Sequence, residues 1–126
     1  MSRYDQFQQF RSRLNQRILG TEGDADTRQE GLGTLNTKRF FTLDGNCYKP
    51  GAIDGKTKEL LGLVASLVLR CDDCVSYHID QAAKLGVSDQ EFMETFDVAL
   101  IVGGSIVIPH LRRAVDFLDE LRSKTT

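Results

Sequence analysis

Two cysteines and a histidine lie close together in the segment Cys71-Asp-Asp-Cys74-Val-Ser-Tyr-His78. On one helix the spacing i, i+3, i+7 places the three side chains within about 60° of one face at 3.6 residues per turn. Cys71 and Cys74 can approach to disulfide distance at a helix start. His78, one turn beyond Cys74, can reach that sulfur directly or through one water. A helix N-terminus carries partial positive charge and lowers a thiol pKa. These are the parts of a thiol redox centre, in which one sulfur attacks, the other resolves and an imidazole moves the proton. Asp72 and Asp73 act in the opposite sense, because carboxylates beside a thiol oppose thiolate formation, and Arg70 offsets part of that charge.

Spacing also discriminates between the sulfurs. His78 is one turn from Cys74 but two turns, roughly 10 Å along the axis, from Cys71. That favours Cys74 as the attacking sulfur. Against it stand the place of Cys71 nearer the helix N-terminus and its expected greater exposure. The same residues are zinc ligands by type, with Cys47 as a fourth. The chain lacks the second close ligand pair usual in structural zinc sites, so the redox reading is preferred and no cofactor or metal is expected. Cys47 itself, between Asn46 and Tyr48, reads as a packed or idle thiol. His110, beside Pro109, reads as a surface or satisfied histidine. Arg112 and Arg113 read as a solvated helix face, Tyr77 as core or interface, and Gly103-Gly104 as a point of close helix packing.

The elements that must position these residues are helical. Tyr4, Phe7, Phe10, Leu14 and Ile18 follow helical spacing and predict a helix over 3–19. Residues 20–33, rich in Gly, Asp, Glu and Thr, read as a loop. Residues 34–43 can hold a short helix, with turns expected at Asp44-Gly45 and Pro50-Gly51. Leu60, Leu61, Leu63, Val64, Leu67 and Val68 predict a core helix over 55–69. Asp72 and Asp73 are expected to cap a helix over 72–85, closed by Gly86. Ser88-Asp-Gln-Glu91 is a capping box opening a helix over 88–102, with Phe92, Phe96, Ala99 and Leu100 inward. The last helix is expected over 106–122, with Pro109 starting or kinking it and Leu111, Val115, Leu118 and Leu121 inward. No strand and no internal repeat are expected.

At 126 residues with 40% hydrophobic and 27% charged residues, the chain reads as a single helical domain over 1–126. A net charge of -2 with scattered Lys and Arg gives no nucleic-acid footprint. The polar start MSRYDQFQQFRSRLNQR has no apolar signal core, and the apolar run Leu60–Leu69 is about half a membrane span. No membrane partner and a cytoplasmic location are therefore expected. The apolar runs Leu60–Leu69 and Ala99–Ile108 offer more apolar helix surface than one small bundle hides, so a homo-oligomer is expected.

Glu59, twelve residues before Cys71, completes a Glu-x11-Cys-x2-Cys-x3-His signature. With LLGLVASLVLRCDDCVSYHIDQAAKLG, a capped helix and Gly-Gly following, the chain over 54–122 resembles the carboxymuconolactone decarboxylase family, specifically its alkylhydroperoxidase D-like branch. The resemblance implies an all-α bundle of about five to six helices with a central helical hairpin, assembling as trimers or hexamers. It also implies thiol-dependent peroxidase or disulfide oxidoreductase activity, with a peroxide or disulfide as substrate and an unknown dithiol as electron donor. The implied roles are Cys74 as attacking sulfur, Cys71 as resolving sulfur, and His78 and Glu59 as a proton relay through water. Taken alone, Glu59 beside Lys58 reads as a surface charge. In one straight helix Glu59 and His78 would stand roughly 28 Å apart, so they meet only if the chain folds back near Arg70–Asp72. The branch's peroxidases place a second histidine just before the second cysteine. Here that position is Asp73, a departure that bears on peroxidase efficiency and not on the redox pair. The alternatives are decarboxylase-type chemistry on a lactone, a branch that works without the cysteine pair, and a non-catalytic oligomeric module with a redox-sensing or zinc-holding pair.

Overall fold

A computed structural model of the chain describes residues 1–24 and 26–125. Ala25, within the loop expected over 20–33, and Thr126 lie outside the described residues. Among the described residues the chain is all-α, with no strand. The helices are α1 (Arg3–Leu19), α2 (Leu35–Cys47), α3 (Gly55–Val68), α4 (Asp72–Lys84), α5 (Asp89–Gly103) and α6 (Ile108–Thr125), with a 3-10 turn at Ser105–Val107. Among the described residues no helix is long and apolar enough to cross a membrane.

The boundaries differ from the sequence reading at the end of α2 and at both ends of α6, which runs on to Thr125 where 122 was expected. α2 extends to Cys47 and runs through Asp44-Gly45, where a turn was expected. Thr34 and Thr37 form a reciprocal capping box that opens this helix, and one glycine in a helix interior costs only about 1 kcal/mol. The chain then turns at Tyr48. At the other end, the 3-10 turn occupies residues expected in the last helix, and Pro109 falls in the first turn of α6. There its missing N–H leaves no bond unmade, so it starts the helix and does not kink it.

The chain forms two compact units. The first holds Met1 and Asp5–Lys49, and neither α1 nor α2 has a buried residue. Its loop is tied by a bridge between Gly20 and Glu30 and by the Asp24 carboxylate, which accepts from the backbone N–H groups of Asp26 and Thr27. The second unit holds Ser2–Tyr4 and Pro50–Thr126. It contains the core: Leu63 and Leu67 of α3, Ile79 and Ala82 of α4, Phe92 and Phe96 of α5, and Phe117, Leu118 and Leu121 of α6. Each of the larger side chains contributes about 1.5–3 kcal/mol by leaving water. Within this unit α3 packs against α4 and α5, and α6 packs against α4. Gly103 is needed where α5 ends, because a Cβ there would come within 2.5 Å of Val107 Cγ2. Leu61, expected inward, is exposed, as are Val98, Ile101, Val102 and Ile106.

The turn between α3 and α4 determines where the cysteines go. The Cys71 N–H donates to the Ser66 carbonyl and the Arg70 N–H to the Leu67 carbonyl. Arg70 adopts φ 61. This is a Schellman ending with a non-glycine residue in the left-handed position. α4 ends in the same pattern, with Val87 donating to Ala82 and Gly86 to Ala83, but there glycine takes the positive φ. The first turn reverses the chain at the place the Glu59–His78 meeting requires.

α5 opens with the expected capping box between Ser88 and Glu91. Lys56 of α3 lies 2.8 Å from Glu91 Oε2. The hydrogen bond from Lys56, followed by that from the Ser88 backbone N–H, lowers the Glu91 carboxyl from its ordinary 4.5 to about 2. A folded-state pKa below the unfolded value stabilises the fold above pH 4.5, and that contribution is lost as pH falls from 4.5 toward 2. A Glu91→Gln variant is therefore expected to lose less stability than the parent over this window, measured as the shift in urea midpoint.

Candidate thiol redox site

Glu59 lies in the first half of α3 and His78 at the midpoint of α4. Although nineteen residues apart, they meet across the hairpin, with His78 Nδ1 2.8 Å from Glu59 Oε2. Both are buried, at 5% exposure for Glu59 and 7% for His78. Glu59 is thus not a surface charge, and its contact with the histidine is direct where a water bridge was expected. A carboxylate so deeply placed is tolerated because a charged or polar partner satisfies it. The Tyr77 ring is half-buried and stands edge-on to the His78 ring at a centroid distance of 5.2 Å.

Cys71 and Cys74 are joined by a disulfide, with their Cα atoms 5.3 Å apart. Two expectations about this pair are corrected. Asp72 and Asp73 are not the helix caps: Cys71 is the N-cap, and its Sγ accepts from the Cys74 backbone N–H at 3.3 Å. The cause is the preceding turn, which leaves Cys71 in the extended backbone a cap requires (φ -99, ψ 98). The two aspartates occupy the first turn, where a negative charge complements the exposed N–H groups. Cys71 is also the less exposed of the pair. It is half-buried because its own N–H is tied back to α3, whereas Cys74 faces outward and is exposed. His78 follows Cys74 by one turn on the same face of α4.

The two aspartates have different surroundings. Asp73 is exposed. Asp72 reaches α6, where its Oδ1 lies 2.7 Å from His110 Nδ1 and its Oδ2 lies 3.4 Å from Arg113. Arg113 is also 3.5 Å from His110 Nδ1. His110 is therefore a satisfied histidine, but Arg113 is more than a solvated charge. No sequence signal joins residues separated by 38 and 41 positions. Arg112 is exposed. Cys47 lies at the end of α2 in the first unit and keeps an exposed thiol. Among the described residues no three of His, Cys, Asp and Glu are grouped so as to hold a metal ion.

Residues 34–117 match the profile of the carboxymuconolactone decarboxylase family. Two crystal structures of a Thermotoga maritima protein share 55% sequence identity with the chain. One covers 96% of this chain and 96% of that one at a TM-score of 0.82. The other covers 94% and 91% at 0.80, and is described as a carboxymuconolactone decarboxylase family protein with a possible part in the antioxidative response. A family protein from Legionella pneumophila, solved in its apo form, is 29% identical, covering 66% of this chain and 74% of that one at a TM-score of 0.62. An uncharacterized protein of the cox locus of Paracoccus denitrificans is 28% identical over 82 residues, which is 65% of this chain and 74% of that protein.

Proposed function

This chain belongs to the carboxymuconolactone decarboxylase family, and on that premise we propose that it is a thiol-dependent peroxidase or disulfide oxidoreductase with Cys74 and Cys71 as its redox couple. The observation that carries this reading is the disulfide one turn ahead of a buried Glu59–His78 pair. Decarboxylation of a lactone has no use for two bonded sulfurs. The antioxidative part suggested for the Thermotoga maritima protein points the same way.

In the oxidising half, Glu59 accepts the Nδ1–H of His78, which leaves Nε2 as the basic nitrogen. His78 takes the Cys74 proton, and the Cys74 thiolate attacks the terminal oxygen of a hydroperoxide. The O–O bond breaks, the alkoxide takes the proton from His78, and Cys74 becomes a sulfenic acid. The Cys71 sulfur then attacks Cys74, forming the disulfide and releasing water. In the reducing half, a donor dithiol attacks the exposed Cys74 sulfur and Cys71 leaves as a thiolate. The second donor thiol attacks the donor's own bonded sulfur and releases Cys74. The donor leaves as a disulfide, having delivered two electrons to the couple.

The half-buried N-cap sulfur suits the leaving role, because a sulfur facing backbone N–H groups forms a stabilised thiolate, and a lower leaving-group pKa speeds exchange. The exposed sulfur suits attack, by peroxide chemistry in one half and by the donor in the other. Asp73, standing where the branch's peroxidases carry histidine, leaves His78 as the base for Cys74.

The test is peroxide consumption by the reduced protein with dithiothreitol as donor. Turnover that saturates in peroxide and stops on blocking the thiols supports the assignment, and a reduced protein inert to peroxides and to small disulfides refutes it. We also assign to the protein a homo-oligomeric state, supported by the exposed side chains of Leu61, Val98, Ile101, Val102 and Ile106. Light scattering at micromolar concentration is expected to return a multiple of the 14.1 kDa chain mass; a monomer would contradict it.

A further inference from the structure

The Asp72–His110–Arg113 cluster is a group of interacting charges beside the cysteines that the proposed reaction does not use. Asp72 is the residue directly after Cys71 and the first of α4. An unpaired carboxylate there would raise the free energy of a Cys71 thiolate by like-charge repulsion. Its oxygens are instead held by two groups of α6: His110 at 2.7 Å on one and Arg113 at 3.4 Å on the other. His110 is the more buried partner, with 17% of its side chain exposed against 43% for Arg113. The other charges of the turn are exposed: Arg70 before the couple and Asp73 within it. The Glu59–His78 pair joins α3 to α4, one turn beyond Cys74.

We propose that His110 and Arg113 are positioning residues of the redox couple. They hold the Asp72 carboxylate on α6 and neutralise it, so that Cys71 can ionise and leave as a thiolate when the disulfide is reduced. The division of labour follows from the chemistry of each side chain. Arg113 brings the permanent positive charge, and His110 donates a directed hydrogen bond that fixes where the carboxylate sits. The proposal rests on the redox reading above for its purpose, but its electrostatic content concerns Cys71 ionisation alone and is measurable without turnover.

The experiment uses the full chain carrying Cys47→Ser and Cys74→Ser, which leaves Cys71 as the only thiol. The rate of alkylation by iodoacetamide is followed against pH, and its midpoint reports the ionisation of Cys71. Arg113→Gln is expected to raise that midpoint by about half to one pH unit, a modest shift because the pair is partly solvated. Arg113→Lys is expected to restore most of it. Asp72→Asn is expected to lower the midpoint, and adding Arg113→Gln to Asp72→Asn is expected to change nothing further. A thermal melt of each variant separates loss of fold from loss of charge, and Asp72→Asn at the partly exposed position supplies the informative comparison should Arg113→Gln unfold. An equal Arg113→Gln shift with and without Asp72 would overturn the proposal, because the arginine would then act on the sulfur directly. No shift in either background would overturn it as well. Because no peroxide is present, a chain that failed to reduce peroxides would still report this coupling.

Discussion

Serine at position 74 is expected to abolish peroxide consumption, whereas serine at position 71 is expected to stop turnover but leave one round of oxidation intact. The argument starts from accessibility and proton transfer. Cys74 is the exposed sulfur, and it stands one helical turn from a histidine held by a buried carboxylate. Cys71 is half-buried and two turns from that base. A proton acceptor works only within hydrogen-bond reach, directly or through one water. Cys71→Ser therefore keeps both the nucleophile and its base, and exposure to limited peroxide should leave a sulfenic acid on Cys74 that a dimedone adduct reveals by mass. With Cys47→Ser present in both proteins to remove the other exposed thiol, Cys74→Ser should give no adduct and no turnover. The capping geometry favours ionisation of Cys71, so the experiment is a contest between two real effects. An adduct on Cys71 in the Cys74→Ser protein, with none on Cys74 in its counterpart, would show that the helix field wins and would exchange the two roles.

The second large effect concerns the buried pair. His78→Ala is expected to lower kcat/KM for peroxide by about 10²–10⁴-fold, the range for loss of a general base. Glu59→Gln is expected to cost about 10–100-fold, because the amide still occupies the site but no longer holds the imidazole as a strong base. The two should also separate in stability. Removing the imidazole leaves a carboxylate at 5% exposure without the partner it meets at 2.8 Å, a change on the order of 3 kcal/mol. Glu59→Gln keeps a hydrogen-bonding group in place and should unfold at nearly the parent urea concentration. A Glu59→Gln protein that is stable and fully active would remove Glu59 from the relay.

How far the sequence could be read follows from what kind of signal each feature leaves. Helical periodicity and most caps are local, so α3 to α6, apart from the ends of α6 and the cap of α4, and the Ser88–Glu91 box are legible in the sequence. The hairpin followed from one further requirement: residues nineteen positions apart can share a site only if the chain reverses between them. The means of that reversal was not legible, because a left-handed Arg70 carries no residue-type marker where glycine would have been one. The same blindness misassigned the cap. Aspartate is the commoner capping residue, and only the backbone conformation after the Schellman turn puts the cysteine there instead. Exposure was likewise misjudged for the two sulfurs, since nearness to a helix end says nothing about what packs over it. Leu61 shows the related limit for a helix apolar nearly all round: periodicity cannot tell a core-facing side from a second apolar side. The Asp72 contacts to α6 are purely tertiary, and no local pattern announces them.

The reading of the centre as a thiol redox site depends on three residue types at fixed spacing, and on a glutamate whose contact is invisible in its own neighbourhood. Beside Lys58 on a helix, Glu59 has every local mark of a solvated charge, yet it is buried against His78. What distinguishes it is the distant partner, which the family pattern encodes and local physics does not.

The most direct measurement is the rate at which the reduced protein, carrying Cys47→Ser to remove the third thiol, is oxidised by one equivalent of hydroperoxide under anaerobic conditions. Stopped-flow mixing followed by thiol titration would give both speed and stoichiometry. If the Cys71–Cys74 couple is a catalytic redox centre, two thiols disappear per peroxide, and they do so far faster than in an unstructured peptide containing Cys-Asp-Asp-Cys. Oxidation at the rate of that peptide would contradict the account, because the folded surroundings of Glu59 and His78 would then contribute nothing to the reaction.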